Sequence, residues 1–422
     1  MEKLAKIWKT PEIRNSVLFV LAMLVIFRLA AHIPVPGVNP EALRQFFNSN
    51  AILGLMNLFS GGGMENFSIV MMGVGPYITA SIIFQLLTML IPQMEEMNKE
   101  EAGRQKINMW TRWATVPFAM LQAYAMISLL RNSNSGIIGE LSVFDYTSII
   151  LTVTAGTIFL MWIGELISEK KIGNGISLLI FAGIIASLPT VIQQIFVNYD
   201  SSMLFTLIGV VAIVIITIVG VIVINEGQRN IPVQYARQVR GNRAFGGSST
   251  HLPLRVNMAG VIPIIFAISV ILFPSMISQF FVNAASPKLA EAAQWVIRIS
   301  QDQLVYGIVY FLLVFAFTYF YTEIVFHPTE IAENLQKQGG FIPGIRPGKP
   351  TADYLGNVTH KIILVGALFL GIIAILPLIM RYFTGIQSLA IGGTSLLIIV
   401  SVIIETVKQI EAQLSMREYT MD

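Results

Sequence analysis

The sequence predicts an all-α polytopic membrane protein of ten transmembrane helices in two inverted, pseudo-symmetric halves, with both chain ends on the cytoplasmic side. Three observations carry that prediction. Of 422 residues, 55% are hydrophobic and only 12% charged; long charge-free stretches recur along the chain; and the basic residues gather on one side of them. A soluble domain carries about 25% charged residues. With half that share a core of this size could not be covered in water, and a bilayer removes the difficulty. Cysteine is absent, which excludes disulfides and thiolate metal sites. His32, His251, His327 and His360 lie far apart, without the close spacing of a helical metal motif, so no cofactor is expected. No short apolar core with a small-residue cleavage site marks a removable signal peptide, and the first span is expected to remain in the mature chain.

Taken in order, residues 1–13 (MEKLAKIWKTPEI) set Lys3, Lys6 and Lys9 on one helical face and Leu4, Ile7 and Trp8 on another, the pattern of an interfacial helix. A span needs about 20 apolar residues to cross a hydrocarbon core of roughly 30 Å. The first, near 16–34, carries Arg28 between SVLFVLAMLVIF and LAAHI. Residues 51–67 (AILGLMNLFSGGGMENF) are too short to span and are broken by three consecutive glycines; such a piece lies outside the lipid or re-enters the protein. Nine longer stretches follow. They run between Glu65 and Glu95, Arg112 and Arg131, Asp145 and Glu165, Lys171 and Asp200, Asp200 and Glu226, Arg255 and Lys288, Asp302 and Glu323, Lys361 and Arg381, and Arg381 and Glu405. Two long loops, 225–257 and 326–361, are rich in Arg, Gly and Pro with ordered-turn chemistry.

With the N-terminus inside, 21 of the 27 Lys and Arg residues fall in inside segments and five outside, with Arg28 in a span. That asymmetry sets the orientation. The predicted halves are residues 1–200 and 201–422, five spans each. GVGPYITA (73–80) is echoed by GVIPIIFA (260–267), and GISLLI (175–180) by GTSLLI (393–398). Each pair joins spans of opposite direction, as in an inverted-topology repeat with its working site between the halves. Ionisable groups, which mark carriers and pumps at mid-membrane, are missing from the spans apart from Arg28. The echoed positions are aliphatic, and a hydrophobic constriction gates by excluding water and ions.

Five ordered stretches resemble the SecY family, the channel subunit of the protein-export translocon. They are SIVMMGVGPYITASIIFQLL (68–87), GNGISLLIFAGI (173–184), STHLPLRVNMAGVIP (249–263), FIPGIRPGKPTADYL (341–355) and GGTSLLI (392–398). The resemblance implies an hourglass protein-conducting channel of the bacterial cytoplasmic membrane. It would pass unfolded polypeptides across and release signal and transmembrane segments sideways into the lipid bilayer. Its pore ring would fall on Ile78, Ile82, Ile180, Ile184, Ile265 and Ile398. Ile78 and Ile82, like Ile180 and Ile184, are four apart and share a helical face, which ordinary packing would also require. Residues 54–66 match the family's plug, a short helix, including Leu55, Met56, Asn57, Leu58, Phe59, Ser60, Gly61 and Gly62; an external loop is the plainer reading. Gln85, Thr88, Gln122 and Asn257 match polar positions of its lateral gate, although static glue between helices suits Gln122 and Asn257 nearly as well.

The two long loops match the family's docking surface for the ribosome and for the SecA motor ATPase, with Arg346, Arg240, Arg243 and Arg255 as its cations. The family also implies small membrane subunits, SecE-like and SecG-like, and secretory preproteins bearing signal sequences. Neither a phosphate-binding Gly-Lys loop nor a nucleophile, base and orienter set is visible, so energy is expected from a partner and the chain is not expected to be an enzyme. A secondary transporter of a small solute remains the alternative, which inverted repeats fit and the lack of mid-span carboxylates does not.

Overall fold

The computed structural model describes residues 8, 10–49, 57, 60–132, 137–139, 142–197, 204–235, 238–240, 243–245, 249–282, 286–384 and 392–421. Residues 1–7 and 9, most of the expected interfacial helix, lie outside these. Residues 11–13 do not belong to such a helix. They open α1 (Pro11–Ala30), because Thr10 is extended (φ −91°, ψ 105°) and Pro11 takes the first helical position, where its missing N–H costs nothing.

The remaining helices are α2 (Pro40–Ser49), α3 (Gly75–Leu90), α4 (Pro92–Lys99), α5 (Glu101–Asn132), α6 (Val143–Glu169), α7 (Gly175–Val197) and α8 (Leu204–Glu226), then α9 (Ile262–Phe281), α10 (Pro287–Gln301), α11 (Gln303–Val325), α12 (Pro328–Lys337), α13 (Lys349–Thr384) and α14 (Gly392–Met421). Each expected span contains a helix among the described residues. Seven segments within α1, α5, α6, α8, α9, α11 with α12, and α13 are long and apolar enough to cross a membrane, and α3 with α4 makes an eighth if the bent pair counts as one. The other two expected spans are α7, apolar over Gly175–Thr190, and the first half of α14. Helix α8 makes the bilayer argument by itself. Its mean hydropathy is 3.4 with little of it buried, and Ile208, Val211, Ile215, Ile216 and Val219 all face outward. A helix apolar all round is stable at a surface only when that surface meets lipid.

Local chemistry sets the ends. Ser142 and Asp145 form a reciprocal capping box at the start of α6, and the Asp302 carboxylate accepts from the backbone N–H of Leu304 and Val305 at 2.9 and 3.1 Å to start α11. Such caps each contribute about 1 kcal/mol. Between α3 and α4 the chain bends by 105°, because Ile91, the residue before Pro92, is extended (φ −109°, ψ 109°) and proline disfavours helix at the preceding position.

Helices pack mainly with sequence neighbours: α3 on α5, α5 on α6, α6 on α7, α9 on α11, α11 on α13 and α13 on α14. The first five expected spans also meet the second five along two lines. Helix α9 packs on α3 and α5, and α14 packs on α7. The largest buried cluster lies among these helices. Backbones approach closely where side chains vanish: a Cβ at Gly175 would collide with the carbonyl of Gly164, so α6 and α7 touch through main chain.

The loop after α8 is a folded layer. Strands β1 (Gln228–Tyr235), β4 (Ser249–Arg255) and β5 (Gly340–Phe341) form an antiparallel sheet in the order β4-β1-β5, and β2 (Gln238–Arg240) pairs with β3 (Arg243–Phe245) as a hairpin. Ile231 pairs with Leu252 and Tyr235 with Gly340. Ile231, Val233 and Leu254 bury against Leu335, Ile342, Leu355 and Val358, which ties the two long loops into one body.

Candidate channel site

Aliphatic side chains at helical spacing have to bury somewhere, and these converge. Ile78 and Ile82 come from α3, Ile180 and Ile184 from α7, Ile265 from α9 and Ile398 from α14. All six are at most 8% exposed and all belong to the same buried cluster, among Val20, Phe27, Leu160 and Leu179. Ile78, Ile180 and Ile265 line a cavity of about 70 Å³ together with Ser60, Met64, Ser269 and Leu272. That volume exceeds the roughly 10–15 Å³ one water needs, but a predominantly apolar lining offers few of the 2–4 polar partners that would hold it. Ile82, Ile184 and Ile398 do not line that cavity but belong to the same cluster.

The plug-like segment reaches this cavity through Ser60 and Met64. Leu55, Met56, Leu58 and Phe59 lie outside the described residues. Asn57 is helical, and residues 60–67 are turns. The glycines account for the turns, since Gly61 and Gly62 sit at φ +68° and +79°, the left-handed region that glycine enters without a Cβ penalty. The turns are closed by side chains. The Asn57 amide oxygen accepts from the Glu65 N–H at 2.9 Å and its NH2 donates to the Glu65 carboxylate at 3.0 Å. The Ser60 hydroxyl accepts from the Met64 N–H at 3.1 Å. Arg44 Nε lies 3.6 Å from Glu65. The segment leaves through a short antiparallel bridge, with the Val35 N–H donating to the Phe67 carbonyl at 2.8 Å and the Ile69 N–H to the Ile33 carbonyl at 3.1 Å. Arg28, the span arginine, donates from Nη1 to the carbonyl of Gly61.

The four gate-like polar residues do not form one set. Gln122 of α5 donates to the Thr79 hydroxyl of α3 at 3.2 Å. Gln85 and Thr88 bond within α3, to Ser81 at 3.2 Å and to the Gln85 carbonyl at 2.7 Å. Asn257 donates to the Asn225 amide oxygen of α8 at 2.7 Å and to the Gly260 carbonyl at 3.1 Å, and Asn225 donates to the Ser401 hydroxyl of α14 at 2.6 Å. Hydrogen bonds from these four, among the described residues, thus stay on one side or the other of the seam where α9 meets α3 and α5. An aromatic contact crosses that seam instead. Tyr124 of α5 stacks on Phe280 of α9 at 4.9 Å with rings 12° apart, while Tyr146 of α6 meets Tyr124 edge-on at 5.7 Å. Sequence reading missed this contact and Asn225. Tyr124 and Phe280 sit in different stretches with no shared motif, and Asn225 beside Glu226 looks like any span boundary.

Of the docking cations, Arg346 is exposed on a turn between Gly344 and Gly348, both at positive φ, and its carbonyl accepts from the Thr351 hydroxyl at 2.8 Å. The backbones of Arg240 and Arg243 pair with each other in the β2–β3 hairpin; their side chains lie outside the described residues. Hairpin and turn adjoin the Tyr235 end of β1, which pairs with β5. Arg255 pairs with Gln228 at the other end of the sheet. The structure therefore separates Arg255 from the tip that carries the other three.

Comparison with known proteins falls on the same elements. The SecY family model matches residues 68–407. A protein translocase subunit SecY of Halalkalibacterium halodurans is 45% identical over 99% of this chain and 98% of its own length. The subunit of the same name in Streptomyces coelicolor is 42% identical over 98% of both chains, and that of Staphylococcus epidermidis is 44% identical over 98% of this chain and 97% of its own. Among solved structures, a protein-conducting channel aligns over 93% of this chain and 91% of its own with a TM-score of 0.60 at 19% identity. Sec61 from a canine ribosome-channel complex of the endoplasmic reticulum covers the same shares at 0.56 and 17% identity. These structures are alike in fold.

Proposed function

The chain belongs to the SecY family, and from that premise we propose how it acts as a multi-pass, protein-conducting membrane channel. Unfolded polypeptide passes between two halves, residues 1–200 and 201–422, through a waist made by Ile78, Ile82, Ile180, Ile184, Ile265 and Ile398. Flexible aliphatic side chains close on whatever passes and bind none of it specifically, which suits cargo of varied sequence. At rest the ring and the segment about 54–66 seal the path together. Parting of α3 and α5 from α9 and α11 would open a lateral exit for signal and transmembrane segments, with Gln85, Thr88, Gln122 and Asn257 near that route.

The observation that carries this reading is the gathering of the six isoleucines, drawn from four helices and both halves, into one buried cluster with Ser60 and Met64 beside it. The relatives are translocase subunits rather than catalytic enzymes, and on this reading the chain does no chemistry. Energy comes from a SecA-type motor or from a ribosome, docked on the loops about 225–257 and 326–361 through Arg346, Arg240 and Arg243, with Arg255 nearer the helices. SecE-like and SecG-like subunits complete the assembly in a bacterial cytoplasmic membrane, with the basic loops inside as their charge bias directs.

The chain has no native cysteine, so introduced thiols report cleanly. Cysteines placed at Ile82 and at Ile398 are each expected to crosslink to one arrested translocating chain. Failure at both positions, with the chain engaged, would remove the waist assignment.

A further inference from the structure

An arginine inside a span is expensive, and its partner names its purpose. Arg28 is such a residue. It is half-buried near the end of α1, beside the fully packed Phe27, and among the described residues no carboxylate pairs with it. Its guanidinium donates instead to a backbone carbonyl, that of Gly61. That carbonyl belongs to the turn whose neighbours Ser60 and Met64 line the cavity under Ile78, Ile180 and Ile265.

Gly61 is closely seated. A Cβ there would lie 2.8 Å from the ring of Phe27, 3.0 Å from the backbone of Gly183 and 3.3 Å from Arg28 Nη1, and its φ is +68°. Gly183 directly precedes the ring residue Ile184. The turn is therefore clamped between α1 and α7, with the arginine closing the clamp. We propose that Arg28 is a latch that holds the turn at residues 60–66 of the plug-like segment against the ring in the resting channel. A carbonyl is a neutral acceptor, so the bond is strong enough to bias the closed state and leaves no ion pair to break when the segment departs. An acidic partner at the same place would lock the segment rather than latch it. Once the segment leaves, the guanidinium is free to donate to the backbone carbonyls of a passing chain in succession, whatever their side chains.

This rests on the reading of 54–66 as a plug, and the test separates the two. The full chain, with its co-purifying membrane subunits, is reconstituted in liposomes, and ion leak is measured. Labelling of a single thiol from Met64→Cys, a buried position, by a membrane-impermeant maleimide is followed alongside. Arg28→Gln is expected to raise both readouts about ten-fold, the scale of losing a charged hydrogen bond, and Arg28→Lys to fall between. Gly61→Ala should raise them similarly, with the double variant close to the larger single effect, since both break the same contact. Deleting residues 57–65 should leak regardless of residue 28. If the deletion leaks but Arg28→Gln changes neither readout, the latch is wrong and the plug stands. If the deletion does not leak, the plug reading fails and the latch with it. If Arg28→Gln adds as much leak to the deletion as to the intact chain, Arg28 acts on the pore wall and the latch is again wrong.

Discussion

Ile398 is wholly enclosed, and so is Ile184, yet neither is held there by the force that buries isoleucine in a soluble protein. Lipid tails are as apolar as leucine, so inside a membrane the driving force is close packing rather than escape from water. On the proposed reading, that makes the ring cheap to part and costly to make polar. Replacing Ile78, Ile180 and Ile265 with asparagine would set amides into a cavity that now offers them few partners, and water would follow. Resting ion conductance of reconstituted channels is expected to rise at least about ten-fold, while single Ile→Val changes, which cost about 0.5–1.5 kcal/mol in packing, should leave it near wild type. Unchanged conductance in the triple variant would mean that these side chains only fill space. The six positions came from the family resemblance, and short repeated motifs surround four of them; their burial in one cluster is what the structure adds. The sequence also singled out Arg28, but nothing in it reveals an acceptor 33 residues away, because that acceptor is a backbone carbonyl and carries no residue identity.

At the scale of elements, charge-free stretches located the helices well and their ends poorly. The stretch between Glu65 and Glu95 reads as one long span, but its first residues are turns bound to residues 33–35, and its last part swings away by 105°. Charge marks where a chain leaves lipid and says nothing of where its axis bends; Pro92 does that. The seam between α9 and the α3–α5 pair is likewise invisible in either stretch alone. Its stacked pair, Tyr124 and Phe280, contributes about 0.5–1.5 kcal/mol beyond area burial. Tyr124→Ala or Phe280→Ala should therefore ease parting of the seam. The expected outcome is several-fold higher export of a preprotein with a weakened signal sequence, with little further gain in the double variant. Additive gains would place the two rings in separate roles.

For the whole molecule, composition alone separated membrane from water, and the bias of Lys and Arg supports an orientation with both ends inside. What composition could not show is that the two basic loops are one folded layer, since β1 pairs with β5 across more than a hundred residues. Arg346 stands exposed at the tip of that layer. Arg346→Glu is expected to depress motor-driven export into membrane vesicles by about ten-fold while the channel still assembles with its small subunits. If ribosomes bind the same tip through phosphates, their binding should weaken steeply between 50 and 200 mM salt, by a log–log slope of roughly −0.7 to −0.9 per phosphate contact. Binding indifferent to salt would point to a contact through protein instead.

The sheet has one more consequence, and it is mechanical. Strand β4 ends at Arg255, the Val256 N–H still bonds the Gly227 carbonyl at 2.8 Å, Asn257 grips Gly260, and α9 starts at Ile262. No slack intervenes between the layer and the helix that borders the seam. On the proposed reading, a load on the layer would reach α9 through these few residues, beside the Asn257–Asn225–Ser401 bonds. On that reading, a partner leaning on the layer would have no need to reach into the bilayer to influence the seam.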